Sequence, residues 1–290
     1  MSVKFITCIY SDLNGTDLGG RESRHLHYRY SLLSLLKMTD ADFVCYTSIR
    51  EIDSLEDFFY EEHKIDPEKL KFKLFDLNAI KFQGLYDKYK DIDHNKKSDR
   101  CFAIQYQKFS WWWNEDKSYD YYYWIDSGLS HCGLIPLKYL VDDGTYRKYY
   151  ESPLYNNNFL KNLTEFSGDK IFVITKENLR NHWCQTVPEK WYNKFDMSLH
   201  VISGLFGGKK EQWDNMVNLF EEFLQKITED SKELYLEEQI LSLMYYNHPD
   251  MFVEKTFDIW WCPDNGAKDA PPEHYIINKS FYKILEELNE

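Results

Sequence analysis

The sequence has no closely paired cysteines and no long hydrophobic run. Its six cysteines stand singly along the chain, as Cys8, Cys45, Cys101, Cys132, Cys184 and Cys262. Because there is no C-x-x-C pair, neither a zinc framework nor a secreted disulfide scaffold is indicated, and we expect reduced, mostly buried thiols and a cytoplasmic location. No stretch approaches the roughly 18 apolar residues of a membrane span. The opening segment MSVKFITCIYS is too short and too polar for a signal peptide.

Positive charge is also scarce. The chain of 290 residues carries 35 basic against 48 acidic side chains, a formal net charge of −13. A protein that coats DNA or RNA needs a basic surface to displace counterions. The charge balance therefore argues against nucleic acid as a partner, although a small basic groove would be compatible with it.

Aromatic residues are abundant instead. The chain has 23 Tyr, 19 Phe and 9 Trp, which make up 18% of the sequence. Their side chains bury large areas in a core, and they also stack on planar bases and on sugar rings. Core packing explains most of this content, and the excess is compatible with a carbohydrate or nucleotide binder.

The order of the predicted elements is that of an α/β protein. A strand at Val3–Ser11, a helix at Tyr28–Met38 and a strand at Asp42–Ser48 form a βαβ unit, which predicts a parallel strand pair. Further strands are predicted at Leu70–Leu77, at Lys170–Thr175 and, interrupted by glycines, at His200–Lys210. Further helices are predicted at Ser54–His63, at Cys101–Asp116, at Glu211–Asp230 and, ended by its His-Pro pair, at Tyr235–Phe252. Repeats and linkers are absent from the sequence, so one domain over residues 1–290 is the simplest prediction.

The stretch DYYYWIDSG, residues 120–128, leads a run of large β-forming side chains directly to Asp126. Such a run predicts a buried strand, which Ser127-Gly128 ends. Ligands of open α/β sheets bind outside the carboxyl ends of the strands. Asp126 is therefore a candidate ligand for a divalent cation, since Mg²⁺ takes oxygen ligands. The alternative is that Asp126 only caps a turn.

A glycine cluster, SGLFGG, precedes the long helix at Glu211–Asp230. Gly204, Gly207 and Gly208 would permit positive φ angles and a close approach of a ligand to the backbone. The following helix N-terminus would favour an anion. The cluster matches neither G-x-G-x-x-G nor a P-loop, and the alternative is a tight corner between a strand and a helix.

Three further groups are candidates for chemistry. Glu237 and Glu238 open a helix, where they either complement the helix dipole or supply a general base for a hydroxyl acceptor. Asp17 and Arg21 lie in a loop that offers contacts to a sugar hydroxyl and to a phosphate, or is a solvated turn. His274 is either structural or, if the chain folds back to Asp126, a partner of that carboxylate.

The segments VKFITCIYS, YYYWIDSG, SGLFGG and LEEQIL, in this order, resemble metal-dependent glycosyltransferases of the GT-A fold. The likeness is in particular to small bacterial and viral sugar transferases, including the HtrL/YibB-like group. It implies a GT-A-like single domain with a Rossmann-like, mostly parallel mixed sheet flanked by helices. It also implies a nucleotide-binding half at residues 1–130 and an acceptor-binding half at residues 131–290.

The resemblance implies roles for individual residues. Asp126 matches the metal-binding aspartate of the D-x-D motif and His274 a C-terminal metal-binding histidine, for Mn²⁺ or Mg²⁺. Glu237 and Glu238 match an acidic pair whose second carboxylate often serves as base. The residues that match the nucleotide and donor site are Thr7, Tyr10, Asp17, Arg21, Trp124, Gly204, Gly207 and Gly208. The sequence departs from the motif at Trp124, which stands where the first aspartate is usual.

The segment before the aromatic strand resembles one that packs beside the site in such enzymes. Its periodicity places four aromatic residues on one helical face: Phe102, Tyr106, Phe109 and Trp113. Lys108 is a candidate for facing the donor, although a lysine whose head group remains in solvent is the simpler interpretation.

The function implied by the resemblance is transfer of a hexosyl or pentosyl group from a nucleotide-diphosphate sugar to a hydroxyl acceptor such as a glycan. Two alternatives remain open. A non-catalytic, lectin-like or scaffold protein on the same fold is favoured by Trp124. A phage-type enzyme that glycosylates modified DNA bases is disfavoured by the net charge of −13.

Overall fold

The computed structural model describes residues 1–10, 28–29, 32–33, 35–36, 39–75, 99–127, 157–177, 199–232 and 234–257. The described strands form one seven-stranded sheet and are β1 (Val3–Cys8), β2 (Asp42–Thr47), β3 (Leu70–Leu74), β4 (Tyr121–Ile125), β5 (Ile171–Glu177), β6 (Leu199–Lys209) and β7 (Phe252–Phe257). They lie in the order β3-β2-β1-β4-β6-β5-β7. Strands from both sides of residue 130 therefore share one sheet, while a division of labour between two halves stays a prediction.

Most neighbouring strands in this sheet are parallel. β1 pairs in parallel with β2 and β4, β2 with β3, and β5 with β7. β6 runs antiparallel to both of its neighbours, β4 and β5. The parallel pair predicted from the opening βαβ unit is thereby confirmed, and so is the mostly parallel mixed sheet.

The described helices cover both faces of the sheet. They are α1 (Ile52–Glu56, continued by a π-helical turn, Asp57–Glu62), α2 (Asp99–Ser110, continued by a 3₁₀ turn, Trp111–Asn114), α3 (Asn157–Ser167), α4 (Lys210–Ser231) and α5 (Glu237–Asn247). Residues 28–29, 32–33 and 35–36 are also helical. Among the described helices, none has the length and apolarity that a membrane crossing requires.

The aromatic strand β4 is buried on both of its faces. Tyr123 and Ile125 pack into the layer that contains α1 and α3, whereas Tyr122 and Trp124 pack into the layer that contains α2, α4 and α5. A strand covered by helices on both sides has a continuous hydrophobic run instead of an alternating one. The prediction of a buried central strand is confirmed, and with it the α/β class.

The predicted helix over Cys101–Asp116 changes character at its end. Tyr106 and Phe109 are fully buried as predicted, but Trp113 is 44% exposed. Trp111 and Trp112 are buried in its place. The reason is that the chain tightens into a 3₁₀ turn after Ser110, and three residues per turn rotate the side chains away from the α-helical face.

The predicted interruption of the strand at His200–Lys210 is wrong. β6 runs from Leu199 to Lys209 without a break and includes all three glycines. A Cβ at Gly207 would lie 2.3 Å from the carbonyl oxygen of Tyr122, and one at Gly208 would lie 2.6 Å from that of Lys170. Glycine is needed here because the backbones of the neighbouring strands approach too closely for a side chain.

The predicted end of the helix within Tyr235–Phe252, at its His-Pro pair, is confirmed. α5 ends at Asn247, before the His-Pro pair at positions 248 and 249, and a short 3₁₀ turn follows. The next residues form β7, which pairs in parallel with β5. Proline cannot continue the helix hydrogen bonding, so the helix stops at this pair, as the sequence predicts.

Candidate functional site

The aromatic side chains of β4 hold the carboxylate that follows the strand. Trp124 is buried against Trp111, with ring centroids 5.5 Å apart. Its indole Nε1 donates a hydrogen bond of 2.8 Å to Oδ1 of Asp126. The side chain of Asp126 remains 21% exposed. The rigid packing of the strand thus fixes one carboxylate at the edge of the sheet.

This carboxylate lies at the point where the strand order changes direction. β1 is flanked by β2 on one side and β4 on the other. Ser127, directly after Asp126, donates a hydrogen bond of 2.8 Å from Oγ to the carbonyl oxygen of Cys8 at the end of β1. The crevice between such strand ends is where open α/β sheets bind ligands. Asp126 therefore lies where a ligand is expected.

A bulge in β6 brings a second strand to the same point. The pairing with β5 passes from Val173↔Phe206 to Ile174↔Ile202, so the register skips residues 203–205. Within this bulge the carbonyl oxygen of Gly204 accepts a hydrogen bond of 2.8 Å from the backbone N–H of Asp126. Bulges re-aim side chains and are frequent beside active sites.

Lys108 of α2 is the cation of the site. Its Nζ lies 3.0 Å from Oδ1 of Asp126 and 3.0 Å from Oε1 of Glu237, and it donates a further hydrogen bond of 3.0 Å to Oγ of Ser203. Burial lowers the pKa of Lys108, but the two carboxylates outweigh burial and raise this pKa well above its ordinary value. The predicted solvated lysine is wrong, because the side chain is buried among its partners. The signal in the sequence was a lysine within an otherwise buried segment.

Glu237 and Glu238 open α5 and have different surroundings. Glu237 is buried, and its Oε1 also accepts a hydrogen bond of 2.7 Å from Oγ of Ser203. The side chain of Glu238 is 24% exposed, and its Oε1 lies 3.3 Å from the backbone N–H of Ser203. Gln239 fixes this helix start, since its Oε1 accepts the N–H of Leu236 at 2.9 Å. Glu238 is the carboxylate with access from outside.

A buried histidine stands behind Glu238. Nε2 of His200 lies 3.4 Å from Oε2 of Glu238, and the ring is 2% exposed. Nδ1 of His200 lies 3.3 Å from Oγ of Ser242, one helical turn after Glu238. His200 and Ser242 were not among the predicted site residues, although Glu238 and Ser242 have the i, i+4 spacing that places side chains on one helix face.

The three glycines of the predicted cluster are in two different places. Gly204 is at the site, where a Cβ would lie 3.9 Å from Oδ2 of Asp126. Gly207 and Gly208 pair with Tyr123 and Tyr122, which lie before the carboxyl end of β4. The structure thus brings only Gly204 to the carboxylate, and a donor contact at the other two stays a prediction.

The other predicted nucleotide-site residues are partly described. Thr7 is buried within β1, and its hydroxyl has no hydrogen-bond partner among the described residues. Tyr10 is half-buried, just beyond the end of β1. Asp17, Arg21 and His274 lie outside the described residues.

The geometry of Asp126 bears on the predicted metal ion. Its Oδ1 contacts the indole of Trp124 and the ammonium of Lys108, while Oδ2 takes part in neither contact. Within the described ranges, no group of three or more His, Cys, Asp and Glu side chains is placed to hold a metal. Mg²⁺ often binds to one or two carboxylates and completes its coordination with water and substrate phosphates, and carboxylate oxygens also suit Mn²⁺. Asp126 fits such a substrate-completed site.

Comparison with known proteins supports the fold. No protein-family model and no curated protein matches the chain. Among solved structures, the apo form of mouse xyloside xylosyltransferase 1 is similar at a TM-score of 0.52 and 10% identity, over 88% of this chain and 85% of that one. A 4-diphosphocytidyl-2C-methyl-D-erythritol synthase from Anaerococcus prevotii covers 97% of this chain and 96% of its own, at 11% identity and a TM-score of 0.41. The first likeness supports the GT-A-like fold, and identity this low carries no information on activity.

Proposed function

We propose that this chain is a glycosyltransferase that moves a sugar from a nucleotide-diphosphate sugar to a hydroxyl acceptor such as a glycan. One observation carries the proposal. Asp126, the partly exposed carboxylate after β4, and Glu237 at the start of α5 both contact the buried Lys108. Ser203 contacts this lysine and both glutamates of the acidic pair. Group transfer from a diphosphate needs both a site for the leaving group and a base for the acceptor, and these two elements would supply them.

In this mechanism Asp126 and His274 would hold Mn²⁺ or Mg²⁺. The cation would supply neutralisation of the charge on the departing diphosphate. Thr7 and Tyr10, near the carboxyl end of β1, and Gly204, within the bulge of β6, are the described candidates for the donor site. Trp124 orients Asp126 through its indole N–H, so its place in the motif is that of a support for the carboxylate.

We assign the general base to Glu238. The acceptor oxygen forms a bond to the anomeric carbon, the bond from this carbon to the diphosphate breaks, and the acceptor proton passes to the carboxylate of Glu238. Glu237 is less suited to this role because its side chain is 3% exposed and is engaged by Lys108. Its contacts indicate that Glu237 holds Lys108 in place between the two elements.

A non-catalytic carbohydrate-binding protein on the same fold is the second candidate. The observation in its favour is that Oδ1 of Asp126 is already engaged by Trp124 and Lys108. Calorimetry separates the two candidates. A transferase binds a nucleoside diphosphate more tightly when Mn²⁺ is present, whereas a scaffold protein shows no such dependence.

The test of the proposed function is a screen of UDP- and GDP-sugars with and without Mn²⁺, read by thermal shift and by release of the nucleotide. A ligand at about 100 times its Kd raises the free energy of unfolding by about 2.7 kcal/mol, and a thermal-shift assay detects a change of this size. Asp126→Asn should abolish both metal-dependent stabilisation and turnover. Asp169→Asn, on a side chain that is 82% exposed, is the matched control and should leave both intact. Full turnover in a folded Asp126→Asn variant would remove the metal-binding role.

A further inference from the structure

The hydrogen bonds around Ser242 determine which nitrogen of His200 carries a proton. The Ser242 hydroxyl lies 2.7 Å from the carbonyl oxygen of Glu238 and 3.0 Å from the backbone N–H of Val201. Its single hydrogen must point to the carbonyl, which can only accept, and its lone pairs receive the N–H of Val201. The remaining contact, of 3.3 Å to Nδ1 of His200, is then favourable only if Nδ1 donates.

This tautomer sets the state of the other ring nitrogen. A neutral imidazole with its hydrogen on Nδ1 presents a lone pair at Nε2. In the structure this lone pair faces Oε2 of Glu238 at 3.4 Å, and an ionised carboxylate has only lone pairs to offer. A hydrogen bond between them requires one more proton, either on Nε2 or on Oε2. The pair is therefore built to hold a shared proton.

We propose that His200 is a positioning residue that accepts, through Glu238, the proton of the acceptor hydroxyl. This inference rests on the proposed function. The acceptor O–H bond breaks, its proton binds the Glu238 carboxylate, and it then passes to Nε2 of His200. The ring becomes an imidazolium with hydrogen on both nitrogens, and Glu238 is again a carboxylate. The proton returns to solvent through Glu238, because its side chain is 24% exposed and that of His200 is 2% exposed.

The chemistry of the two groups favours this direction. An imidazole ordinarily holds its proton up to about pH 6.5, and a glutamate up to about pH 4.3. The imidazole ring is thus the stronger base of the two, while the carboxylate is the group that the substrate can reach. A carboxylate alone would lose its function as a base only at low pH, whereas the pair should lose it when His200 is protonated in the free enzyme.

The other described charged groups at the start of α5 are Glu237 and its partner Lys108 of α2, whose Nζ lies 3.0 Å from Oε1 of Glu237. Lys108 is held by Asp126 and Glu237, so the carboxylate that faces the imidazole in the described contacts is Glu238. Removing the charge of Glu238 should therefore change the titration of His200 more than a change at any of these groups.

The first experiment needs no activity. Nitrogen-15 NMR of the histidine rings, with His200→Gln used to assign the signals, reports which nitrogen is protonated at each pH. We expect Nδ1 of His200 to carry hydrogen throughout, and we expect Glu238→Gln to lower the pKa of the ring by about one unit or more. A neutral ring protonated on Nε2, or an unchanged titration in Glu238→Gln, would overturn the shared proton.

The second experiment measures the pH dependence of turnover. His200→Gln should shift the acid limb of kcat/KM to lower pH by about one unit or more and should lower kcat with the donor KM unchanged. His248→Gln, at an exposed residue whose ring lies edge-on to that of Phe223, is the matched control and should reproduce the wild-type profile. If the His200→Gln profile superposes on that of the wild type, the proton-accepting role is wrong. If no nucleotide sugar is turned over by any form, the proposed function fails, and the NMR result still decides whether the proton is shared.

Discussion

At the carboxyl end of β4, one lysine side chain joins carboxylates from two elements. Lys108 lies 3.0 Å from Asp126 and 3.0 Å from Glu237, and it is buried. Transfer of such charges out of water is costly, and their mutual attraction offsets the cost only when the geometry is good and the remaining hydrogen bonds are made. Ser203 makes one of these hydrogen bonds with each partner. Removal of one charged side chain should therefore lower the free energy of unfolding by more, per side chain, than removal of a cation and its carboxylate together.

The first prediction concerns this ion pair. Lys108→Met leaves Glu237 buried without its cation, so the free energy of unfolding should fall by about 3 kcal/mol or more. Glu237→Gln should also destabilise the protein, and the double variant should lose clearly less than the sum of the two. Urea unfolding of the four proteins provides the cycle. Strict additivity of the two losses would contradict the interaction.

The control for this prediction is a surface ion pair. Lys226 and Glu222 are in contact one helical turn apart on α4, and both are more than half exposed. Surface pairs of this kind contribute about 0–1 kcal/mol, so Lys226→Met should change the free energy of unfolding by no more than about 0.5 kcal/mol. A loss at Lys226 equal to that at Lys108 would indicate a general effect of removing positive charge.

The sequence predicted that Asp126 follows a buried strand but not that Lys108 is buried, and the reason is the range of the contacts. Asp126 follows an unbroken run of strand-forming residues, which is local information. Lys108 acquires its role from Glu237, 129 positions further along the chain, and from a bulge in β6 that places Ser203 between them. No pattern within the helix specifies these partners, so an exposed lysine was the default expectation.

The glycines of β6 act at the scale of the element. Gly207 has a φ of +145°, and a Cβ there would lie 2.3 Å from the backbone carbonyl of Tyr122 in β4. Gly204 has no such neighbour, since the nearest atoms to a Cβ are the side chains of Asp126 and Ile202 at 3.9 Å. One glycine is thus required for the pairing of two strands, and the other leaves open space beside the carboxylate.

The second prediction follows from this difference. Gly207→Ala forces β6 away from β4 and should lower the free energy of unfolding by about 3 kcal/mol, the upper range of overpacking. Gly204→Ala should change it by no more than about 1 kcal/mol, because its Cβ meets only ordinary contacts. Urea unfolding measures both. Equal losses at the two positions would show that a general property of glycine in strands, and not the close approach of β4, sets the cost.

The sequence predicted a break at these glycines because glycine is rare within strands and usual at corners. The structure uses them inside the strand, where a neighbouring backbone fills the place of a side chain. That requirement comes from a strand more than eighty positions away, as in the contact between Gly207 and Tyr122. Local composition therefore predicted the position of β6 correctly, but it wrongly predicted an interruption at the glycines.

At the scale of the whole molecule, the first half of the sheet was predictable and the second was not. β1 and β2 are joined by a helical connection, and the crossover rule for such units specifies a parallel pair. β6 lies between β4 and β5, and β7 lies at the edge beyond β5. These places depend on pairings between distant segments, on which the hydrophobic pattern of each segment carries no information.

The stability of the molecule at high pH should reflect its buried tyrosines. Burial raises the pKa of Tyr46, Tyr106 and Tyr123 well above the ordinary value. Below about pH 10 these phenols are protonated in both the folded and the unfolded chain. Above that pH the unfolded chain loses protons that the folded chain keeps. The stabilisation is therefore complete below about pH 10 and is lost as the pH rises toward the folded-state values.

The last prediction isolates one of these groups. Each tyrosine that stays protonated only when folded lowers the free energy of unfolding by about 1.4 kcal/mol per pH unit above pH 10. In Tyr123→Phe the phenol is absent, so the slope should be shallower by about this amount. Below pH 10 the variant should lose about 1 kcal/mol, the worth of its hydrogen bond of 2.8 Å with Ser167. Ser167 keeps its own acceptor, the carbonyl oxygen of Leu163, so no buried donor is left unpaired. Urea unfolding from pH 8 to pH 11 measures both quantities, and parallel curves for the two proteins above pH 10 would show that Tyr123 does not titrate on unfolding.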